Sequence, residues 1–268
     1  MYRAVTGSRS PIVCSRDCAQ VTFSLGMTLT SLAGKRIAIT RPRVQSVELA
    51  NELSNHGALP LVIPLIEITE PSDEGFAFEH AMKNIRQYEW VVCTSANGSH
   101  RAAPYIAKDA SRPKLAAVGD ATAAGFQQEV DFVPSQASGQ TLASEFPLTN
   151  GKVLLVQAEK TSGDVATTLR QRGVVVDEVA AYQTVIRKLE TEETEEIEQL
   201  LAADAVVFAS GSAIRSFVSQ CGARYHGAIV VIGEPTHLAA KELGVNVSAV
   251  ATAPTAQAIA HALGGVFR

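Results

Sequence analysis

This 268-residue chain contains an internal repeat. Residues 118–123 (VGDATA) return as residues 232–237 (IGEPTH), and residues 91–97 (VVCTSAN) return as residues 206–212 (VVFASGS). The matching residues lie 114 or 115 positions apart, which is too long for one unit of a solenoid and long enough for each copy to close its own hydrophobic core. The sequence therefore predicts two similar lobes, and a cleft between two lobes is a favoured place for a small-molecule site.

Both copies have the pattern of α/β structure. From Gly34 onward, short apolar segments alternate with amphipathic helical stretches, as is typical of parallel sheets flanked by helices. The predicted strands are 37–40, 59–63, 90–94, 115–118, 131–133, 153–156, 174–179, 205–208, 229–232 and 247–250. The predicted helices are one that carries Val47, Ala50 and Leu53 and ends at Gly57, then 78–87, 141–146, 165–172, 191–201 and 255–263. We expect two sheets of about five strands each.

The repeat leaves the division of the chain between the lobes open. A tandem split near Asn150 uses the same modules as an exchanged arrangement, in which the first strand–helix–strand unit joins the last third of the chain. In the exchanged arrangement, the polar stretches 67–73 and 184–191 are the two crossovers between the lobes.

Composition removes several classes of protein. The chain is 46% hydrophobic and 19% charged, with a formal net charge of −4 and no cluster of Lys and Arg, so we expect neither a nucleic-acid partner nor a membrane surface. No apolar run approaches the roughly 18 residues of a membrane span. The four cysteines contain no CxxC pair and the six histidines lack ligand spacing, which favours a reducing compartment and predicts no metal site.

Residues 1–33 differ in composition from the rest. They are rich in Ser and Thr and carry Arg3, Arg9 and Arg16 against one acid, Asp17, which is typical of an organellar transit peptide. The alternative is an overlong start, because Met27 shortly precedes the first predicted strand. We favour the second interpretation and expect residues 1–33 to be a disordered extension.

Hydroxyl and amide side chains follow the predicted strands, at the edge where open parallel sheets bind ligands. Such groups and the free N–H groups of the next helical turn can donate hydrogen bonds to an anion. These candidate binding residues are Thr94, Ser95, Asn97, Thr122, Ser210, Ser212 and Thr236. For each Ser or Thr the alternative is a purely structural helix N-cap.

Tyr182 is the candidate for proton chemistry. It follows a predicted strand in the second copy, whereas the first copy has Pro64-Leu65-Ile66 at the matching place. A phenol with a pKa near 10 is protonated at neutral pH and can donate a proton to a leaving oxygen. The alternative is a tyrosine that packs at a domain edge. The chain lacks GxGxxG, GxxxxGK[ST], HExxH and GxSxG motifs, which excludes the usual dinucleotide, nucleoside-triphosphate, zinc-protease and hydrolase sites.

An ordered set of segments from about residue 34 to residue 264 resembles the uroporphyrinogen-III synthase family. The segments are GKRIAITRP at 34–42, PLIEI at 64–68, CTSAN at 93–97, AVGDATA at 117–123, AYQT at 181–184, IGEPT at 232–236 and APT at 253–255. No single segment is diagnostic, whereas the ordered set is fairly specific. Arg41, in the first segment, joins the candidate binding residues.

The resemblance implies two flavodoxin-like (HemD-like) lobes, each a parallel five-stranded sheet flanked by helices. Residues 34–66 with 187–268 are expected to form one lobe and 67–186 the other, joined by a two-segment linker. The implied activity is that of a hydro-lyase that cyclises hydroxymethylbilane to uroporphyrinogen III for haem, sirohaem or cobalamin synthesis, with loss of water and inversion of ring D. No cofactor or metal is implied. Tyr182 would assist departure of the hydroxyl group, and Thr122 and Thr236 would line the cleft with the strand-end serines.

The resemblance also implies a cytoplasmic monomer with at most transient contact with hydroxymethylbilane synthase, or organellar import if residues 1–33 are a transit peptide. The chain departs from the family at Gln157-Ala158, where many members have Arg-Gly, and at His237, where threonine or alanine is frequent. The competing function is a two-lobed sensor or regulator that binds a tetrapyrrole or another carboxylated ligand without catalysis.

Overall fold

The computed structural model describes residues 32–107, 111–147, 151–161, 163–189 and 195–268, apart from the side chain of Ala223. Two five-stranded sheets form the framework. The strands are β1 Arg36–Ile39, β2 Leu59–Val62, β3 Ile66–Thr69, β4 Trp90–Cys93, β5 Lys114–Ala117, β6 Lys152–Ala158, β7 Val175–Ile186, β8 Ala205–Phe208, β9 Ala228–Ile232 and β10 Ala249–Ala251. The helices are α1 Arg43–Asn55, α2 Phe76–Lys83, α3 Ala96–Ala102, α4 Asp120–Gly125, α5 Gly139–Glu145, α6 Val165–Gln171, α7 Glu195–Leu201, α8 Gly211–Gln220, α9 Glu234–Glu242 and α10 Ala256–Val266. The predicted α/β architecture with two similar lobes is confirmed.

Lobe 1 is built on the sheet β10-β9-β8-β1-β2, in which all pairs are parallel. Alternate residues of its strands face opposite layers of helices. Ile37 and Ile39 pack towards α1 and α10, whereas Ala38 packs towards α7, α8 and α9. Both faces are therefore covered, which explains why these strands are continuous apolar runs. Leu32, within the predicted extension, is 1% exposed in this core, and residues 1–31 lie outside the described part of the chain.

Lobe 2 is built on the sheet β3-β7-β6-β4-β5. One face of its strands packs against α2, α3 and α4, and the other face packs against α5 and α6. The sheet order settles the connectivity that the repeat left open, because the first strand–helix–strand unit pairs with β8 and not with its neighbours in sequence. The exchanged arrangement is the one that forms.

The chain crosses between the lobes twice, along a two-stranded ribbon. Strand β3 pairs antiparallel with the last part of β7, from Ile66 opposite Ile186 to Thr69 opposite Gln183. The carbonyl of Leu65 then accepts the N–H of Arg187 at 3.1 Å and, in lobe 1, the hydroxyl of Ser216 at 2.8 Å. These bonds attach the ribbon to lobe 1.

Three details differ from the expectation. The second sheet is not wholly parallel, because β3 runs antiparallel within a stretch predicted to be an irregular crossover. The predicted strand 131–133 is reduced to one isolated bridge between Ala116 and Phe132. Strand β7 continues seven residues past its predicted end at residue 179, because it leaves β6 and finds a new partner in β3. The start of the predicted helix 191–201 lies outside the described residues.

Two equivalent glycines of the repeat give a matched stability test. Gly57 after α1 and Gly173 after α6 have φ angles of +78° and +87°. Replacement by alanine costs roughly 1–2 kcal/mol at either position because of the left-handed backbone. A Cβ at Gly57 would also lie 3.2 Å from Ala33 Cα, whereas a Cβ at Gly173 meets nothing within 4 Å. We expect Gly57→Ala to lower the urea midpoint of unfolding more than Gly173→Ala does. Equal losses would show that the contact with Ala33 costs nothing.

Candidate functional site

Two cavities are lined by residues of both lobes, and a third, in lobe 2, adjoins one of them at Tyr182. The interlobe cavity, of about 210 Å³, is bordered by residues including Thr40, Arg41, Asn97, Tyr182, Ser210 and Ser212. The lobe-2 cavity, of about 300 Å³, is bordered by residues including Thr94, Ser95, Gln157, Lys160 and Tyr182. The outer cavity, of about 710 Å³, is bordered by residues including Val44, Gln45, Glu67, Asn97, His100 and Arg187. Seven of the nine predicted site residues therefore border one or more of these cavities.

Tyr182 lies between the interlobe cavity and the lobe-2 cavity and borders both. A bulge in the pairing of β6 with β7 sets the orientation of its side chain. Gln157 pairs with Ala180 and the next residue, Ala158, pairs with Tyr182, so that one residue of β7 is left unpaired. The extra residue, Ala181, puts two consecutive side chains of β7 in the buried core of lobe 2. Tyr182 is 6% exposed, and its hydroxyl donates to Ser95 Oγ at 2.9 Å.

Ser95 and Ser210 are equivalent N-caps in the two copies. Ser95 Oγ accepts the N–H of Gly98 at 3.1 Å, and Ser210 Oγ accepts the N–H of Ala213 at 3.3 Å. Their backbone angles differ by no more than one degree. Both serines therefore have the capping role that the sequence analysis gave as the alternative, and each also borders a cavity. Capping and ligand contact do not exclude each other at a strand end.

Arg41 brings a cation to the interlobe cavity. Burial lowers the pKa of its guanidinium, and the charge of Glu48 opposes that shift. Among the described residues its guanidinium has no hydrogen bond or ion pair. A partly desolvated guanidinium of this kind suits a carboxylate, which it can bind through two parallel hydrogen bonds.

The remaining predicted residues, Thr122 and Thr236, border none of the three cavities. They lie in the first turns of α4 and α9, and each is 4% exposed. The sequence analysis missed Gln45 and Lys160. Gln45 Nε2 of lobe 1 donates to Asn97 Oδ1 of lobe 2 at 2.9 Å, and Lys160 is the cation of the lobe-2 cavity. The strand-end rule points to both, since each follows the end of a strand by two to six residues.

The interlobe and lobe-2 cavities offer a ligand hydroxyls, amides and two cations, Arg41 and Lys160. Within the described residues, no group of three His, Cys, Asp or Glu side chains is arranged to hold a metal ion. No helix in the described part of the chain has both the length and the apolar character to cross a membrane. A separate surface hollow of about 710 Å³ between α2 and β7 is bordered by none of the predicted site residues.

Comparison with known proteins gives a consistent result. The family model described as uroporphyrinogen-III synthase HemD matches residues 47–261. The chloroplastic uroporphyrinogen-III synthase of Oryza sativa subsp. japonica is 30% identical in an alignment of 227 residues that covers 78% of this chain and 73% of that protein. The porphyrin biosynthesis protein HemD of Ruminiclostridium josui is 33% identical in an alignment of 165 residues that covers 57% of this chain and only 32% of that longer protein.

A solved structure has the same fold. A mutant uroporphyrinogen III synthase from Thermus thermophilus aligns with a TM-score of 0.60 over 87% of this chain and 99% of its own, at 14% sequence identity. At this identity the likeness concerns the two-lobed fold alone.

The hydrogen bond between Gln45 and Asn97 joins the lobes directly, outside the ribbon. Gln45→Ala removes a bond with a net contribution of about 1 kcal/mol, so we expect the balance between closed and open lobes to shift roughly fivefold towards open. Distances between spin labels on the two lobes measure this shift. Gln199→Ala is the matched control, because the Gln199 amide bonds to Glu195 within one helix. An unchanged distance distribution in Gln45→Ala would remove the bond from the control of closure.

Proposed function

The chain belongs to the uroporphyrinogen-III synthase family, and on this premise we propose that it cyclises hydroxymethylbilane to uroporphyrinogen III. The reaction removes the terminal hydroxyl group as water, inverts ring D and closes the macrocycle. The observation that carries the proposal is the part-buried Tyr182–Ser95 hydrogen bond, whose tyrosine borders both the interlobe cavity and the lobe-2 cavity.

The substrate is a flexible chain that is rich in carboxylates. We propose that these carboxylates are held by Arg41 and Lys160 together with the strand-end groups Thr94, Asn97, Ser210 and Ser212. Thr122 and Thr236 would join them only through the first turns of their helices. Each exposed hydrogen bond or dipole contact contributes about 0.3–1.5 kcal/mol. Many weak donors on two lobes can therefore fix one folded conformation of the substrate.

Tyr182 is proposed to supply the proton that leaves with the substrate hydroxyl. Its burial and its position at the end of the part of β7 that pairs with β6 support this role, because a group held by a sheet keeps its orientation during the reaction. Loss of water produces an azafulvene, which reacts without further activation. The remaining task of the protein is to present the substituted carbon of ring D and to exclude the unrearranged closure. Such a task requires shape and positioning more than a strong acid–base pair.

A reducing, cytoplasmic location and a monomeric state are also proposed, with transient contact with the enzyme that supplies hydroxymethylbilane. Cys93 and Cys221 are buried free thiols. Burial raises the pKa of Cys93 well above its ordinary value and that of Cys221 to about 11, so both stay protonated at neutral pH. Inert buried thiols are compatible with a reducing compartment.

The product isomer tests the proposed function. We expect the purified full-length chain to convert freshly prepared hydroxymethylbilane mainly to the type III isomer, because the cleft imposes inversion of ring D. Chromatography of the oxidised porphyrins measures the ratio of isomers. Only the type I isomer, as in a reaction without protein, would refute the proposal, and tetrapyrrole binding with that same result would favour the sensor instead.

Tyr182→Phe tests the proton donor. We expect turnover to fall by roughly a hundredfold, at the lower end of typical acid catalysis, because the hydroxyl group must then leave with a proton from water. Circular dichroism should show a folded protein. Tyr225→Phe is the control, since it removes a phenol that is 8% exposed and donates to the carbonyl of Ala228 within lobe 1. Equal turnover in the two variants would exclude Tyr182 from the chemistry.

A further inference from the structure

The hydroxyl oxygen of Ser95 accepts two hydrogen bonds at once. One comes from the Tyr182 hydroxyl at 2.9 Å and the other comes from the N–H of Gly98 at 3.1 Å. A serine oxygen has two lone pairs, so both are occupied and the hydroxyl hydrogen must point elsewhere. Within the described residues Ser95 Oγ donates to no acceptor. Its hydrogen is thus available to the lobe-2 cavity, which Ser95 borders.

The same geometry limits what Tyr182 can do directly. The phenol has one hydrogen, and that hydrogen is directed at Ser95. To protonate a substrate itself, Tyr182 would first have to break this bond while 6% exposed within the lobe-2 core. The serine proton needs no such rearrangement, because the hydrogen bond from the Gly98 N–H holds the serine oxygen in place and leaves the hydroxyl hydrogen free to turn.

We propose that Ser95 is the immediate proton donor to the departing hydroxyl and that Tyr182 acts through it as the proton source. This inference rests on the proposed function. A carboxylate of the same substrate would bind to Lys160, the cation of the lobe-2 cavity. That contact would place the hydroxymethyl end beside Ser95.

The step balances in protons and electrons. The departing oxygen takes the proton of Ser95 Oγ, the C–O bond breaks with its electron pair on oxygen, and water leaves. Ser95 regains a proton from Tyr182, which becomes a phenolate. The lone pair of the pyrrole nitrogen forms the C=N bond, and the N–H proton of that ring returns through Ser95 to the phenolate. No oxidant, reductant or metal enters.

Comparison of the two copies of the repeat indicates that the Tyr182–Ser95 hydrogen bond does more than support the helix cap. Ser210 caps α8 with the same backbone conformation as Ser95, and no phenol of the described residues is bonded to its oxygen. Capping alone therefore needs no tyrosine. The tyrosine is the addition that distinguishes the lobe-2 copy of this strand end from the lobe-1 copy.

Single-turnover kinetics of the full-length protein test the relay. For Ser95→Ala we expect a loss in rate of roughly a hundredfold, equal to that of Tyr182→Phe, and no further loss in the double variant. Ser95→Thr keeps a capping hydroxyl and should recover most of the rate. Ser138→Ala is the matched control for cap loss, because Ser138 caps α5, which has the same seven-residue length as α3. Its rate should equal that of the unaltered protein.

The dependence of the rate on the fraction of D₂O in the solvent is a second measurement. A purely structural role of Ser95 would not affect it. Two protons in motion predict a curved dependence on the deuterium fraction for the unaltered protein and for Ser138→Ala. A straight line for the unaltered protein, or full turnover in Ser95→Ala with Tyr182→Phe impaired, would overturn the relay and leave Tyr182 as the direct donor. These outcomes differ from failure of the proposed function, in which the unaltered protein would yield only the type I isomer.

Discussion

Strand β7 hydrogen-bonds to two different partners along its length, and this double pairing connects the sheet of lobe 2 to the ribbon. Up to Tyr182 it belongs to the sheet of lobe 2 through β6, and from Gln183 onward it pairs with β3 in the ribbon. Backbone hydrogen bonds leave little freedom to either part. Tyr182, the residue proposed to supply the proton, is therefore the last residue of β7 that pairs with β6, and the ribbon begins at the next residue. Backbone hydrogen bonds on both sides of Tyr182 fix its position relative to the sheet and to the ribbon.

Much of the fold could be predicted from sequence because its main signal is a repeat of apolar strands and strand-end motifs. The two lobes, the strand positions and the helices follow from patterns within each copy. The ribbon could not be predicted in the same way, since Ile66–Thr69 is a short, half-polar edge strand whose pairing depends on Gln183–Ile186 more than 110 residues away. The bridge at Phe132 shows the opposite error, because a strand-like segment finds only one partner residue, Ala116.

The candidate site was predictable to the extent that it follows the strand-end rule. That rule selected Ser95, Ser210 and Tyr182, whose positions depend on local structure. It gave no information on the bulge at Ala181, which depends on the register between two strands, or on the contact from Gln45 to Asn97, which depends on how far the lobes close. It also could not distinguish Thr122, which the first turn of α4 buries, from the hydroxyls that border a cavity.

The exchanged connectivity determines which lobe can be completed first during synthesis. Strand β1 takes β8 as its neighbour, and Lys35 near the start of the described chain lies 4.9 Å from the ring centroid of Phe267 at its end. The core of lobe 1 therefore stays incomplete until β8, β9, β10 and α10 have been synthesised, whereas every strand of lobe 2 has been synthesised once β7 is made. During that interval β1 lacks its partner β8, and the apolar residues of β1 and β2 that remain uncovered make the nascent chain prone to aggregation.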